Sequence, residues 1–324
     1  MKFGNIELKH GVMLAPMAGF SDRAMRVLCR EHGCEYSVSE MISATAVAYG
    51  DKKTFRLARI LGDEGRVAIQ IFGSEPAVMA KAAATLSVAQ AGCAAPVAID
   101  INMGCPVHKI FSNGEGSALM KSPERIYEIV RAVSGATPLP TTVKLRLGID
   151  RGSINAVECA LAAEEGGAAL VTVHGRTRVE LYSGNADYEA IRDVKQALHI
   201  PVIANGDITS GAVALSVLDI TGADGVAVGR GAVGNPFIFR EIISALEDRP
   251  CPPPTLSERK TAALHQLTLA IEEKGEEVAV REARKQIASY FHSFRGAGEA
   301  RAEINRATTL AELEAILSRL FGQE

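Results

Sequence analysis

One cysteine stands where a parallel αβ chain usually does its chemistry. The stretch from Ala98 to Met120, AIDINMGCPVHKIFSNGEGSALM, opens on a short apolar run that reads as a buried strand. It breaks at Asn102-Met103-Gly104-Cys105-Pro106 and continues as a polar loop through Asn113-Gly114-Glu115-Gly116. A helix then starts through Ser122-Pro123-Glu124, a cap residue followed by a proline at the first helical position. Cys105 is therefore just past a strand end, on the way to a helix, which is where barrels and doubly wound sheets place reactive groups. Free cysteines are also often small, inert core residues, and this stretch taken alone favours that plainer explanation.

The elements around it shift the balance. Eight short, β-branched runs alternate with helical segments: Val12 to Pro16, Tyr36 to Ser39, Val67 to Phe72, Ala98 to Asn102, Thr142 to Leu145, Leu170 to His174, Val202 to Asn205 and Gly225 to Val228. Between them, helices are expected from Ser21-Asp22-Arg23 to Gly33, from Pro76 to Ala91 and from about Asn155 to Glu165, and Met41 to about Arg59 reads as helical or mixed. Phe3, Ile6 and Leu8 around Gly4-Asn5 suggest a small lid hairpin. Helical crossovers join parallel strands, so the rhythm predicts an α/β fold, a closed (β/α)8 TIM barrel rather than an open doubly wound sheet. The barrel is preferred because polar residues end most strands: Gln70, Asn102, Lys144, His174, Asn205 and Arg230. On a barrel these converge with Cys105 on one mouth.

Lys144 lies inside the apolar run VKLRL, where a lysine needs a partner or an anionic ligand, unless it only snorkels to the rim. His174 ends another apolar run, and a satisfied core histidine would look the same. Asn205-Gly206-Asp207 and Gly229-Arg230-Gly231 follow the last two strands, where barrels often bind phosphate on backbone amides, and Arg230 can add a bidentate charge. Together these groups suit the polar edge and phosphate of a flat heterocycle, and FMN fits that description. Gly229 to Gly234 also spells G-x-G-x-x-G, but no strand with an acidic residue follows, so the dinucleotide signature is weak.

The 324 residues allow one large αβ domain and a smaller one. With 47% hydrophobic and 23% charged residues the chain is globular, and no run reaches membrane-span length. The N-terminus MKFGNIELKHG lacks the apolar core of a signal peptide, so a cytoplasmic location is expected. Six cysteines, Cys29, Cys34, Cys93, Cys105, Cys159 and Cys251, form no C-x-x-C pair, and no metal site is expected. The net charge of −3 gives no global pull toward nucleic acid, so any such site must be a local basic patch. Pro250-Cys251-Pro252-Pro253-Pro254 reads as a stiff linker, which sets the boundary between residues 1–249 and 250–324. Beyond it helices are expected over Leu256 to Lys274, about Val278 to Arg295, and Leu310 to Leu320.

On these residues the chain resembles the tRNA-dihydrouridine synthases, most of all their bacterial B-type branch. The resemblance rests on several words in fixed order: Ala15-Pro16-Met17-Ala18-Gly19 with Ser21-Asp22-Arg23, Gln70-Ile71-Phe72-Gly73, Asn102-Met103-Gly104-Cys105-Pro106, Gly116-Ser117-Ala118-Leu119, Lys144-Leu145-Arg146, Val173-His174-Gly175-Arg176-Thr177, Asn205-Gly206-Asp207-Ile208 and Val228-Gly229-Arg230. It implies an FMN-binding barrel over residues 1–249 and a helical tRNA-binding domain over 250–324. It further implies that Pro16, Met17 and Ala18 lie along the flavin edge, that Gln70 and Lys144 contact the ring, and that His174 sits near it. Asn205, Gly206, Asp207, Gly229 and Arg230 would hold the ribityl chain and phosphate. NADPH (or NADH) would reduce the flavin, hydride would pass to C6 of a D-loop uridine, and Cys105 would protonate C5.

The chemistry agrees with that assignment. Reducing a C5=C6 bond conjugated to a carbonyl needs hydride at one carbon and a proton at the other, and a thiol with a reference pKa of about 8.5 is a reasonable acid. Cys105 should then stay protonated, carried on a mobile loop from Val107 to Gly116 over a base that has left its stack. Arg281, Arg284, Lys285, Arg295, Arg301 and Arg306 would grip the RNA, although Gln286 stands where the family usually has a histidine. A monomer is expected. The competing readings are an FMN barrel acting on a free pyrimidine or other small enone, and a non-catalytic RNA-binding barrel.

Overall fold

Alternation of buried β-branched strands with one-faced helices closes the chain into a barrel. The computed structural model describes residues 1–291 and 297–321. A hairpin of β1 (Lys2–Phe3) and β2 (Ile6–Glu7) precedes the barrel strands. These are β3 (Val12–Leu14), β4 (Tyr36–Val38), β6 (Val67–Phe72), β7 (Ala98–Asn102), β8 (Thr141–Leu145), β9 (Leu170–His174), β10 (Val202–Asn205) and β11 (Gly225–Val228). The two-residue β5 (Ile42–Ser43) pairs with the end of β6. Neighbours around the ring are parallel, and the pairings β4–β6 and β11–β3 close it, so the open-sheet alternative is excluded. The hairpin packs Phe3, Ile6 and Leu8 against residues that open the strands, including Tyr36, Ala98 and Leu170. The expected lid therefore plugs the floor, opposite the strand ends.

Caps fix where the helices begin. Asp22 accepts the Met25 N–H and starts helix Arg23–Glu31, and Ser122 accepts the Arg125 N–H ahead of Pro123–Ala136. The helix expected to reach Ala91 ends at Leu86, the last position with a buried side chain, and without packing a surface turn does not persist. The mixed stretch after Met41 resolves into β5 and the helices Ala44–Ala48 and Lys52–Leu57.

Residues 250–254 carry no regular element, and the Thr255/Glu258 capping box starts helix Leu256–Lys274. Helix Glu276–Ser289 ends six residues before the expected Arg295, which lies outside the described residues. Ala297–Ile304 is an additional helix, and Leu310–Phe321 closes the chain. These helices share one apolar cluster with Ala24, Val27 and Leu28 of the first barrel helix and with Phe237. Gly234, the last glycine of the G-x-G-x-x-G string, lies against the end of helix Glu276–Ser289. A Cβ there would meet the Ser289 carbonyl carbon at 2.3 Å, so close helix packing explains that glycine.

Candidate active site

The strand ends open into a cavity of about 1050 Å3. All twelve residues singled out from the sequence border it: Pro16, Met17, Ala18, Gln70, Cys105, Lys144, His174, Asn205, Gly206, Asp207, Gly229 and Arg230. Strand register explains why. Gln70 pairs with Asp100, Asn102 with Lys144, and Asn205 with His174, so their side chains rise in adjacent layers around the ring. The lining carries Lys144, Arg146, Arg230 and Lys285 against the single carboxylate of Asp207. Apolar groups from Pro16, Met17, Ala18, Met41 and Ile208 complete the wall.

Lys144 donates from Nζ to Asn205 Oδ1 at 3.1 Å, and the Asn205 amide donates to the Ala227 carbonyl at 2.7 Å. Burial, with help from the Arg146 charge, lowers the Lys144 ammonium to about 8. Burial first, and then Lys144, Arg146, Arg176 and Arg230, hold His174 neutral, which makes it a hydrogen-bond partner and not an acid at neutral pH. Asp207 adopts φ +51°, and its carboxylate is already occupied. The fully buried Arg176 binds it through both oxygens, at 2.9 and 2.6 Å, and Arg230 reaches it at 3.2 Å. Asp207 thus offers an anion its backbone, while its side chain holds the Arg230 guanidinium in place.

Cys105 is half-buried. Its thiol is raised by burial, against the opposing pull of the Val107 backbone and the Arg146 and Lys144 charges. It therefore stays protonated near neutral pH, as a proton donor requires. Its loop is more ordered than the sequence suggested: His108–Ser112 is a helical turn, and a 3-10 segment spans Gly116–Lys121. Asn102 Oδ1 accepts from the Cys105 N–H at 2.9 Å and the Gly104 N–H at 3.2 Å, and Ser117 Oγ donates to the Cys105 carbonyl at 2.8 Å. Arg146 joins this loop to the next by donating to the carbonyls of Gly104, Thr177 and Leu181, at 2.9, 2.8 and 3.0 Å. Tyr182, largely exposed, lies 4.3 Å from Arg230 and presents its ring at the mouth.

From the sequence, Asp100, Arg176 and Ser289 received no role at the cavity, and Lys285 was counted only among the RNA-gripping cations. The first two carry the same signal as Lys144, a charge within or beside an apolar run. The last two reach the mouth only through docking of the C-terminal helices. In those helices the Arg284 guanidinium donates to the Ala307 carbonyl and serves the fold, while Arg281 stays exposed in a pair with Glu277 at 3.1 Å. Gln286 is buried and bonds to Gln266, which also accepts from the Tyr290 hydroxyl at 2.8 Å, so it does not face an RNA surface.

The family model described as dihydrouridine synthase (Dus) matches residues 13–323. The chain is 40% identical over 324 residues to tRNA-dihydrouridine synthase B of Shewanella oneidensis, covering 100% of this chain and 99% of that one. It is 42% identical over 310 residues to tRNA-dihydrouridine synthase B of Pseudomonas aeruginosa, covering 94% and 91%. Among solved structures it resembles mandelate oxidase with (S)-2-phenylpropionate, with a TM-score of 0.50, 19% identity and coverage of 77% and 74%, a likeness of fold alone.

Proposed function

The chain belongs to the dihydrouridine synthase family, and from that premise we propose that it reduces a D-loop uridine of tRNA to 5,6-dihydrouridine, using FMN and either NADPH or NADH. FMN, when bound, supplies the hydride that C6 of the base receives. The cavity suits that group: four cations face one occupied carboxylate, the lining carries a neutral histidine and three amide side chains, and one wall is apolar. Pro16, Met17 and Ala18 would lie along its edge, and Gln70 and Lys144 would bond its ring, with His174 close by. Asn205, Gly206, the Asp207 and Gly229 backbones and Arg230 would take the ribityl chain and phosphate. Cys105 Sγ gives its proton to C5 as the C5=C6 bond is lost, and the thiolate recovers a proton from water. Residues 250–324 act as the RNA-gripping domain, with Lys285 at the cavity mouth. The protein acts as a cytoplasmic monomer.

One observation carries the reading: a thiol kept protonated by burial at the rim of a cationic cavity. Cys105→Ala should still oxidise NADPH at close to the normal rate while forming dihydrouridine on the order of 10²–10⁴-fold more slowly. Normal product formation by that variant would remove Cys105 from the role. Mapping dihydrouridine in tRNA from a deletion strain, with complementation by this chain, tests the substrate. Intact tRNA alongside altered pyrimidine pools would favour a free base instead.

A further inference from the structure

A buried carboxylate lies beneath the site and reaches it only through Gln70. Asp100, on β7, is 2% exposed and points into the barrel. It accepts a hydrogen bond from the Thr142 hydroxyl, and its other oxygen accepts from Gln70 Nε2 at 2.7 Å. Gln70 Oε1 accepts from Asn102 Nδ2 at 2.8 Å. Asn102 Oδ1 in turn accepts the backbone N–H groups of Cys105 and Gly104.

We propose that Asp100 is a positioning residue for Cys105: its carboxylate anchors a one-way chain through Gln70 and Asn102 that holds the cysteine loop at the cavity rim. A primary amide can point either way, but an ionised carboxylate can only accept and a backbone N–H can only donate. With Asp100 at the lower end, Gln70 must turn its NH2 down and its oxygen up. Asn102 must then turn its NH2 to Gln70 and its oxygen to the loop. The loop amides demand the same direction from the upper end, so every member is satisfied in one orientation only. In the reversed chain the Asn102 NH2 would face two N–H donors and the loop would lose its anchor. Burial raises the Asp100 carboxyl to about 6, tempered by the bonds from Thr142 and Gln70 and by the Lys144 charge, and leaves it ionised at neutral pH.

This inference rests on reading Cys105 as the proton donor, and its test separates the two. The full-length, FMN-loaded protein is treated with iodoacetamide, and the labelling rate of the Cys105 peptide is read by mass spectrometry. Asp100→Leu removes the acceptor at similar bulk, so Cys105 should label about tenfold faster as its loop is released. Transfer to tRNA should slow about a hundredfold, well beyond any change in NADPH-driven flavin reduction, which the released Gln70 can also affect. Asp100→Asn still accepts from Gln70 and offers its own NH2 to the Thr142 oxygen, so labelling should return to within about threefold of wild type. Should the leucine variant fail to fold, Asp100→Thr, too short to reach Gln70, carries the same comparison. Wild-type labelling in the leucine or threonine variant, or equal acceleration in all of them, would overturn the anchor. Normal tRNA reduction by Cys105→Ala would instead overturn the donor role and leave the labelling result to judge Asp100 alone.

Discussion

At Lys144, burial would make a side chain sensitive to any ligand that needs it charged. Its ammonium sits near 8 in the ligand-free cavity, so an anionic ligand that needs it charged must add a proton above that pH. The sign follows directly: affinity is full below about 8 and falls as pH rises through it. Titration calorimetry should find FMN binding about tenfold weaker at pH 9 than at pH 7, and Lys144→Gln should bind weakly at both. A flat profile in wild type would mean that Lys144 does not charge-pair the ligand. Single residues were legible where a polar group interrupts an apolar run, as Lys144 and His174 do. Asp100 and Arg176 interrupt or follow such runs too, yet their meaning depends on Gln70 and Asp207, which belong to other strand–loop units and which spacing along one strand cannot reveal.

Among elements, the Cys105 loop depends on one glycine. Gly116 has φ +59°, and a Cβ there would lie 2.9 Å from Ile110, 3.0 Å from the Cys105 Cβ and 3.1 Å from its carbonyl oxygen. Gly116→Ala should therefore cost about 2 kcal/mol in urea unfolding and should also speed Cys105 labelling. Unchanged stability would show that the segment yields more readily than its contacts suggest. The eight strands were legible almost to the residue because each is a short apolar run and most are ended by a polar group. The helical turn His108–Ser112 was not, since it buries no side chain and so leaves no apolar periodicity. Helix Ala297–Ile304 was missed because its sequence, AGEARAEI, contains a glycine and few large apolar residues.

Across the whole molecule, the two parts build the mouth together. Helix Glu276–Ser289 brings Lys285 and Ser289 to the cavity, with the Lys285 ammonium 5.9 Å from the Phe20 ring. If Lys285 meets an RNA phosphate there, Lys285→Ala should weaken tRNA binding and lower the slope of log affinity against log salt by about 0.7 to 0.9. An unchanged slope would place the backbone contacts elsewhere. Most of the helices after Pro254 were legible in the sequence, but not where they dock, because docking is decided by surface shape on both sides. That docking limits how such a protein can diversify. Gly234 admits the end of the helix, while Ala24, Val27, Leu28 and Phe237 are core residues of the part beyond the linker as much as of the barrel. Residues 250–324 are thus poor currency for recombination. A descendant that acquires a different helical end by gene fusion inherits a mismatched seam unless those barrel positions change with it, so the two halves should change in step.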